Sequence, residues 1–270
     1  MKHTSYFITI FCLLTGWLTA SAQVFKNSDL TISKLEDHVW VVETTDKTTM
    51  YIIEGNDKAM LIDTGTKCEK LDEVVRTITK KPLYVVITYA HGDHDGNIGY
   101  FKEIYLHPAD TILLGKSYKG IVHFVKDGEV FDLGGKKIEV SHMPAHTPGS
   151  IVLLDRQAGT CYSGDAFGSG QVWLQLRPYS PMKTYISSCK KMEKLMDGGI
   201  TKVYCGHYPY VKKAYNKQYI TEMRTLAEAL VNGTAPEAKP HPQKVSIGSD
   251  HPMMVTLGEA TIVFDPEHIK

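Results

Sequence analysis

Apolar runs of four or five residues, separated by turn-forming residues, alternate along this chain with stretches of helical periodicity. Val39-Trp40-Val41-Val42 and Met50-Tyr51-Ile52-Ile53 read as strands, Gly55-Asn56-Asp57 as a turn, and Ala59-Met60-Leu61-Ile62 as a returning strand that ends at Asp63. Leu71, Val74, Val75 and Ile78 recur at helical spacing. Pro82 predicts the end of that helix, because a proline disfavours helical geometry in the residue before it. Leu83 to Ile87 is an uninterrupted apolar run, expected of a strand buried on both faces.

Further on, Ile104-Tyr105-Leu106 is a short strand, and Gly134-Gly135 turns a hairpin between Val130-Phe131 and Ile138-Glu139-Val140. A second hairpin joins Ile151–Leu154 to Cys161-Tyr162-Ser163 over Gln157-Ala158-Gly159. A helix fits Met182 to Met196 and stops at Gly198-Gly199; Val203-Tyr204-Cys205 is a strand. Another helix fits Asn216 to Val231, with Tyr219, Ile220, Met223, Leu226, Ala227 and Leu230 on one face. Met254–Leu257 and Ala260–Phe264 form a last hairpin over Gly258. Blocks of strands with helices between them predict an α+β fold, sheets inside and helices outside. There is no short-period repeat, and no boundary divides residues 23–270 into separate domains.

The first residues follow a different pattern. Lys2 precedes an apolar run from Phe7 to Trp17, and Ala20-Ser21-Ala22 supplies small residues before Gln23, which reads as a cleaved secretory leader over Met1–Ala22. The run is short for a membrane span of about 20 apolar residues, so the mature chain is expected secreted or periplasmic, without a stable membrane anchor. Export permits disulfides. Cys68, Cys161, Cys189 and Cys205 remain after cleavage; sequence cannot choose among their pairings, and each reads as a small buried hydrophobe.

Composition narrows the class of partner. Of 270 residues, 43% are hydrophobic and 22% charged, with 30 basic and 30 acidic side chains. Balanced charge argues against a nucleic-acid binder, which needs a basic excess, and the apolar fraction argues against disorder. A small-molecule substrate is the expected partner.

Candidate chemistry gathers where strands end. Leu61-Ile62-Asp63-Thr64-Gly65, Tyr89-Ala90-His91-Gly92-Asp93-His94-Asp95-Gly96, Pro144-Ala145-His146-Thr147-Pro148-Gly149, Ser163-Gly164-Asp165 and Cys205-Gly206-His207 each place Asp or His beside Gly or Pro after an apolar run. Imidazole and carboxylate without thiolate suit zinc, and also iron or manganese. His91, Asp93 and His94 lie so close together that a tight loop can aim them at two different ions.

These five segments, in this order, resemble the metallo-β-lactamase superfamily over most of Val39 to Tyr208. The resemblance implies a four-layer αββα sandwich with one or two ions at the edge of its two sheets. By motif position it assigns Asp93, His94, Asp165 and His207 to one ion. It gives His91 and His146 to the other, with Asp165 bridging, and Asp63 to support of the metal loop. The family loop usually reads His-x-His-x-Asp-His, and here its first position is Tyr89. A weakened first site, an empty one, or a Tyr89 that ligates or hydrogen-bonds to substrate are the alternatives. A free tyrosine loses its proton near about pH 10, so ligation as phenolate needs a strong local positive charge. Aspartate at the bridging position 165 looks more like the glyoxalase II and lactonase branches than the di-zinc lactamases.

The implied activity is hydrolysis of an ester, thioester, lactone or amide, β-lactams included, by a metal-activated water that Asp93 orients and relieves of a proton. A catalytically degenerate metal- or ligand-binding protein is the alternative, because Tyr89 interrupts the loop. A redox di-iron protein is a third reading, which His91 opposes. Substrate contacts are sought in Phe167, Trp173, Leu174, Leu176, Arg177 and Tyr179, read as a lid or pocket wall, with Arg177 or Lys183 receiving a carboxylate; Tyr208 and Tyr210 are further candidates. His107, His123, His142, His241, His251 and His268 have no partners at ligand spacing and read as surface or core.

Overall fold

Alternation along the central strands fills two opposite faces, and that fact sets the layering. The computed structural model describes residues 23–269 apart from 67, 116 and 117; the expected leader lies outside the described residues. Eight strands pair in chain order: β1 (Gln23–Lys26), β2 (Leu30–Glu36), β3 (Val39–Thr44), β4 (Thr49–Glu54), β5 (Ala59–Ile62), β6 (Leu83–Val86), β7 (Glu103–Leu106) and β8 (Ile121–Phe124). Helix α1 (Leu71–Ile78) connects β5 to β6, which lie parallel. In β4, Tyr51 and Ile53 join one apolar cluster and Met50 and Ile52 another, the period of two that a pleated strand imposes.

The second sheet uses the same alternation. It comprises β9 (Val130–Asp132), β10 (Lys137–His142), β11 (Ile151–Asp155) and β12 (Thr160–Tyr162), and later β14 (Lys202–Tyr204) beside β12. Ile151 and Leu153 of β11 meet Tyr51 and Ile53 between the sheets, whereas Val152 and Leu154 face outward. Between β12 and β14 run β13 (Gln171–Trp173) and α2 (Met182–Asp197). The chain then continues through the short α3 (Tyr208–Val211), α4 (Lys217–Asn232), β15 (Lys239–Pro240), β16 (Met253–Leu257) and β17 (Ala260–Phe264). β13, β17, β16 and β15 form a third, small sheet. Val172, Val255 and Ile262 of that sheet share a cluster with Cys189 and Met192 of α2 and Ile220 and Met223 of α4. The layers are therefore α1, the large sheet, the second sheet, and α2 with α4: the expected αββα sandwich.

Local signals explain the helix ends. Asn216 Oδ1 accepts the Tyr219 amide at the start of α4, and Gly233 ends it with φ of 70°. Helix α1 stops at Ile78, before Pro82, with Thr79 already extended. Strands β1, β2, β8, β13 and β15 have no counterpart in the periodic reading. β1, β8 and β15 are mostly exposed edge strands and carry little buried apolar pattern. All four cysteines of the described residues are free and buried, as the small-hydrophobe reading expects.

Parallel pairing positions the site. β5 and β6 end side by side, so Asp63 and the Tyr89–Asp95 loop leave the large sheet at one edge. β12 and β14 are likewise parallel, so Asp165 and His207 leave the second sheet together.

Candidate metal centre

Asp63 follows β5 directly and is buried, in a left-handed backbone conformation with φ of 61°. Its carboxylate accepts hydrogen bonds from the Thr88 amide (2.6 Å) and hydroxyl (2.7 Å) and lies 2.7 Å from His94 Nδ1. That contact places the His94 proton on Nδ1 and leaves Nε2 free as a donor atom to a cation. His207 repeats the arrangement, with Nδ1 donating to the Lys47 carbonyl at 3.1 Å.

The free ends of these rings meet two carboxylates. His207 Nε2 lies 3.2 Å from Asp165 Oδ2 and 3.5 Å from Asp93 Oδ2. His94 Nε2 lies 3.8 Å from Asp93 Oδ2 and 3.9 Å from Asp165 Oδ1. One donor atom from each of the four residues falls within 4.8 Å of all the others. A tetrahedral ion with bonds of about 2.0–2.2 Å sets its ligands about 3.3–3.6 Å apart, so these separations suit a cation after small adjustments.

Two further observations fit that reading. His94 Nε2 and Asp165 Oδ1 are buried without a hydrogen-bond partner, a costly state for polar atoms unless a cation satisfies them. Electrostatics agree. Burial opposes ionisation of Asp93, but the His94 and His207 imidazoles hold its pKa down to about 2. Asp165 lies below the carboxylate range for the same reason, against its burial. Burial disfavours charge on His207, yet Asp165 and Asp93 push its pKa up to about 12. Burial also opposes charge on His94, while Asp63 and Asp93 raise it to about 8. The cluster therefore attracts positive charge, and a proton on His207 answers part of that demand.

In the neighbouring trio His91 Nε2 is likewise buried without a hydrogen-bond partner, but the other polar atoms are engaged. His146 Nδ1 donates to the Trp173 carbonyl at 2.9 Å, so His146 Nε2 accepts from His91 Nδ1 at 3.1 Å. Burial lowers both pKa values, that of His91 to about 3. Tyr89 is 0% exposed and donates its hydroxyl to Asp165 Oδ2 at 3.0 Å. Burial and the Asp165 and Asp93 carboxylates hold its pKa well above the ordinary value, so Tyr89 stays a neutral phenol here.

The family model of the metallo-β-lactamase superfamily matches residues 44–207, which contain every one of these side chains. The chain belongs to the metallo-β-lactamase superfamily. Among curated relatives, an acyl-coenzyme A thioesterase of Gallus gallus (MBLAC2) is 28% identical over 62% of this chain and 74% of its own length. An uncharacterized protein of Aquifex aeolicus is 30% identical over 57% of this chain and 81% of its own. Of solved structures, the mono-zinc form of the metallo-β-lactamase FIM-1 from Pseudomonas aeruginosa aligns with a TM-score of 0.61. It is 17% identical and covers 78% of this chain and 99% of that one. TTHA1623, solved in a di-iron-bound form, aligns with a TM-score of 0.53 at 26% identity, over 64% and 92% of the two chains.

Within this superfamily fold, a cavity of about 590 Å³ opens onto the cluster. His91, Asp93, His146, Asp165 and His207 line it; Tyr89 does not. The hydrogen bond to substrate expected as one role for Tyr89 is thus replaced by one to Asp165, because burial removes the ring from the cavity. Of the expected wall, Trp173 and Leu176 line the cavity, whereas Phe167 and Leu174 are buried in the apolar core. Arg177 turns away to donate to the Ser246 carbonyl at 2.9 Å, and neither it nor Lys183 lines the cavity. Tyr179 donates to Asp265 at 2.9 Å, and Tyr208 packs on Tyr204; Tyr210 does reach the cavity.

Two contributions have no counterpart in the motif reading. Gln243, Val245 and Ile247, far along the chain, complete the wall; only the apolar spacing of Val245 and Ile247 among prolines marked them. Asp110, buried behind the site, accepts the Ala90 amide (3.1 Å), the Thr147 hydroxyl (2.8 Å) and the Gly149 amide (2.6 Å). It ties the Tyr89–Asp95 loop to the His146 loop, and an aspartate soon after the Ile104-Tyr105-Leu106 strand was the available signal. Gly149 cannot be larger, since a Cβ there would lie 2.4 Å from Asp110 Oδ1. Of the histidines read as surface or core, none joins the cluster, and His241 packs edge-on against Trp173 at 5.1 Å.

Proposed function

We propose that this chain is an exported, metal-dependent hydrolase of thioesters or esters, working with one cation held by Asp93, His94, Asp165 and His207. The observation that carries the proposal is the pair of buried, partnerless atoms, His94 Nε2 and Asp165 Oδ1, directed with Asp93 and His207 at one point. A divalent ion there, zinc or alternatively iron or manganese, supplies Lewis acidity and a water whose pKa falls from about 15.7 towards 7.

The chain's own residues do the rest. Asp63 and the Lys47 carbonyl fix the two imidazoles; the Tyr89 hydroxyl fixes Asp165. Asp93, whose side chain is 38% exposed, directs Oδ2 at the two imidazoles, and its other carboxylate oxygen, Oδ1, would accept a proton from the attacking water and return it to the leaving thiolate or alkoxide. Water and thioester thereby give a carboxylic acid and a thiol. His91 Nε2 is the one partnerless nitrogen of the second set; with both His146 nitrogens engaged and Tyr89 neutral, these residues support one ion rather than two. The name of the Gallus gallus relative supports a thioester substrate, and the leader-like Met1–Ala22 supports export to the periplasm or beyond.

Elemental analysis of protein purified without added metal should find one equivalent per chain. Chelation should abolish hydrolysis of an acyl thioester and the ion should restore it. Undiminished turnover by metal-free protein overturns the proposal, as does a metal-loaded chain inert on every ester, thioester, lactone and β-lactam.

A further inference from the structure

The cavity has a wall that the reaction does not use, and its chemistry selects a substrate. Apart from the candidate ligands and Gly92, the lining is Ser169, Gln171, Trp173, Leu176, Tyr210 and the segment carrying Gln243, Val245 and Ile247. Every one of these is uncharged, and the described lining contains no lysine or arginine. Its acidic side chains are Asp93 and Asp165, both among the candidate ligands, whose other members there are the imidazoles of His91, His146 and His207.

The wall is held in place. The Arg177 amide donates to the Ile247 carbonyl (2.8 Å), the Ser249 amide to the Gln175 side chain (2.7 Å), and the Arg177 guanidinium to the Ser246 carbonyl (2.9 Å). Gly248 fits only without a side chain, since a Cβ would lie 2.5 Å from Gln175 Oε1. Val245 and Ile247 are nevertheless 37% and 44% exposed, although their backbone is anchored. A fixed backbone presenting open aliphatic side chains beside the reacting centre is a surface prepared for apolar contact.

We propose that this cavity receives the acyl half of the substrate, and that the acyl group is an uncharged aliphatic or aromatic chain of medium length. Acyl groups bearing a carboxylate are rejected, because the arginine that could have received the charge is turned onto Ser246. The proposal rests on the hydrolase reading above and deepens it.

The test uses the metal-loaded full chain and acyl thioesters of one small thiol. From acetyl to octanoyl, KM should fall by about three- to fourfold per methylene, the fold-change that about 0.8 kcal/mol per buried methylene gives. Glutaryl, the carboxylate counterpart of pentanoyl, should react at least about 100-fold more slowly. Ile247→Ala should cut the octanoyl-to-acetyl ratio of kcat/KM by about tenfold, and Val245→Lys should raise glutaryl turnover. A flat chain-length profile, or glutaryl equal to pentanoyl, overturns the proposal. If no thioester reacts, the hydrolase reading falls alone, and Trp173 fluorescence then reads the cavity directly. Quenching by decan-2-one and not by decanedioate, lost in Trp173→Phe, supports an apolar site; the reverse order refutes it.

Discussion

Replacing Asp110 by alanine removes three hydrogen bonds at a point that touches two loops. The side chain is 0% exposed, and its oxygens hold the Ala90 amide, the Thr147 hydroxyl and the Gly149 amide. Thr147 keeps the Ser150 hydroxyl at 2.9 Å as an alternative partner, but both amides lose theirs. Each orphaned buried donor costs about 1–3 kcal/mol. Part of that returns, because burial already penalises the Asp110 carboxylate and raises its pKa. A net loss of about 2–4 kcal/mol follows, which lowers a urea midpoint by about 1–2 M at an m-value of about 2 kcal/mol per M. Since Ala90 stands three residues before Asp93, the loosened loop should also weaken metal binding by about 10- to 100-fold, the usual price of losing a supporting contact. Urea unfolding of the metal-free protein and competition against a chromophoric chelator measure the two effects separately. Asp110→Asn should behave similarly, because one side of the amide turns a donor towards donors. A variant whose midpoint and metal affinity match the parent would show that the two loops are organised without Asp110.

Four further outcomes are expected. Tyr89→His should raise the bound metal from one ion to two by elemental analysis; unchanged stoichiometry and affinity would reject a weakened first site. Gly206→Ala would put a Cβ 2.4 Å from His94 Cε1 and 2.6 Å from Asp165 Oδ1, so the purified variant should keep its circular dichroism and lose its metal, and normal metal content would contradict the packing. Metal binding must displace protons from a cluster in which His207 titrates at about 12 and His94 at about 8. Affinity should therefore rise with pH, by about tenfold per unit for each proton released; binding heats that do not depend on the buffer's ionisation enthalpy would refute this. Asp93→Asn should lower turnover by about 10²–10⁴-fold with octanoyl thioester, and full activity would remove Asp93 from the reaction.

Much of the architecture was legible in the sequence because the central strands are buried on both faces. Met50-Tyr51-Ile52-Ile53 and Ile151–Leu154 announce themselves as apolar runs for that reason, and the Asn216 cap and Gly198 fix helix ends. The edge strands β1 and β8 were not legible, since half or more of their side chains face solvent. The turns after the strands marked Asp93, His94, Asp165 and His207 only as candidates beside Asp63, His91 and His146; it was the resemblance to the superfamily that implied these four share one ion. Their supporting groups resisted the same reasoning. The carbonyls of Lys47 and Trp173 have no residue signature, and the bonds of Asp110 reach Ala90 and Gly149 across the fold. Arg177 shows the converse error. A cation in a stretch of aromatics invites assignment to substrate, yet its guanidinium donates to the Ser246 carbonyl.

Val245 and Ile247 stand beyond residue 207, where the match to the family model ends, whereas the four candidate ligands lie within it, His207 at its last position. The wall is thus composite: Ser169, Gln171, Trp173 and Leu176 stand among the candidate ligands within the family match, and Val245 and Ile247 outside it. On the proposed reading, exchanges at Val245 and Ile247 would alter the aliphatic part of the cavity without touching any of the four candidate ligands.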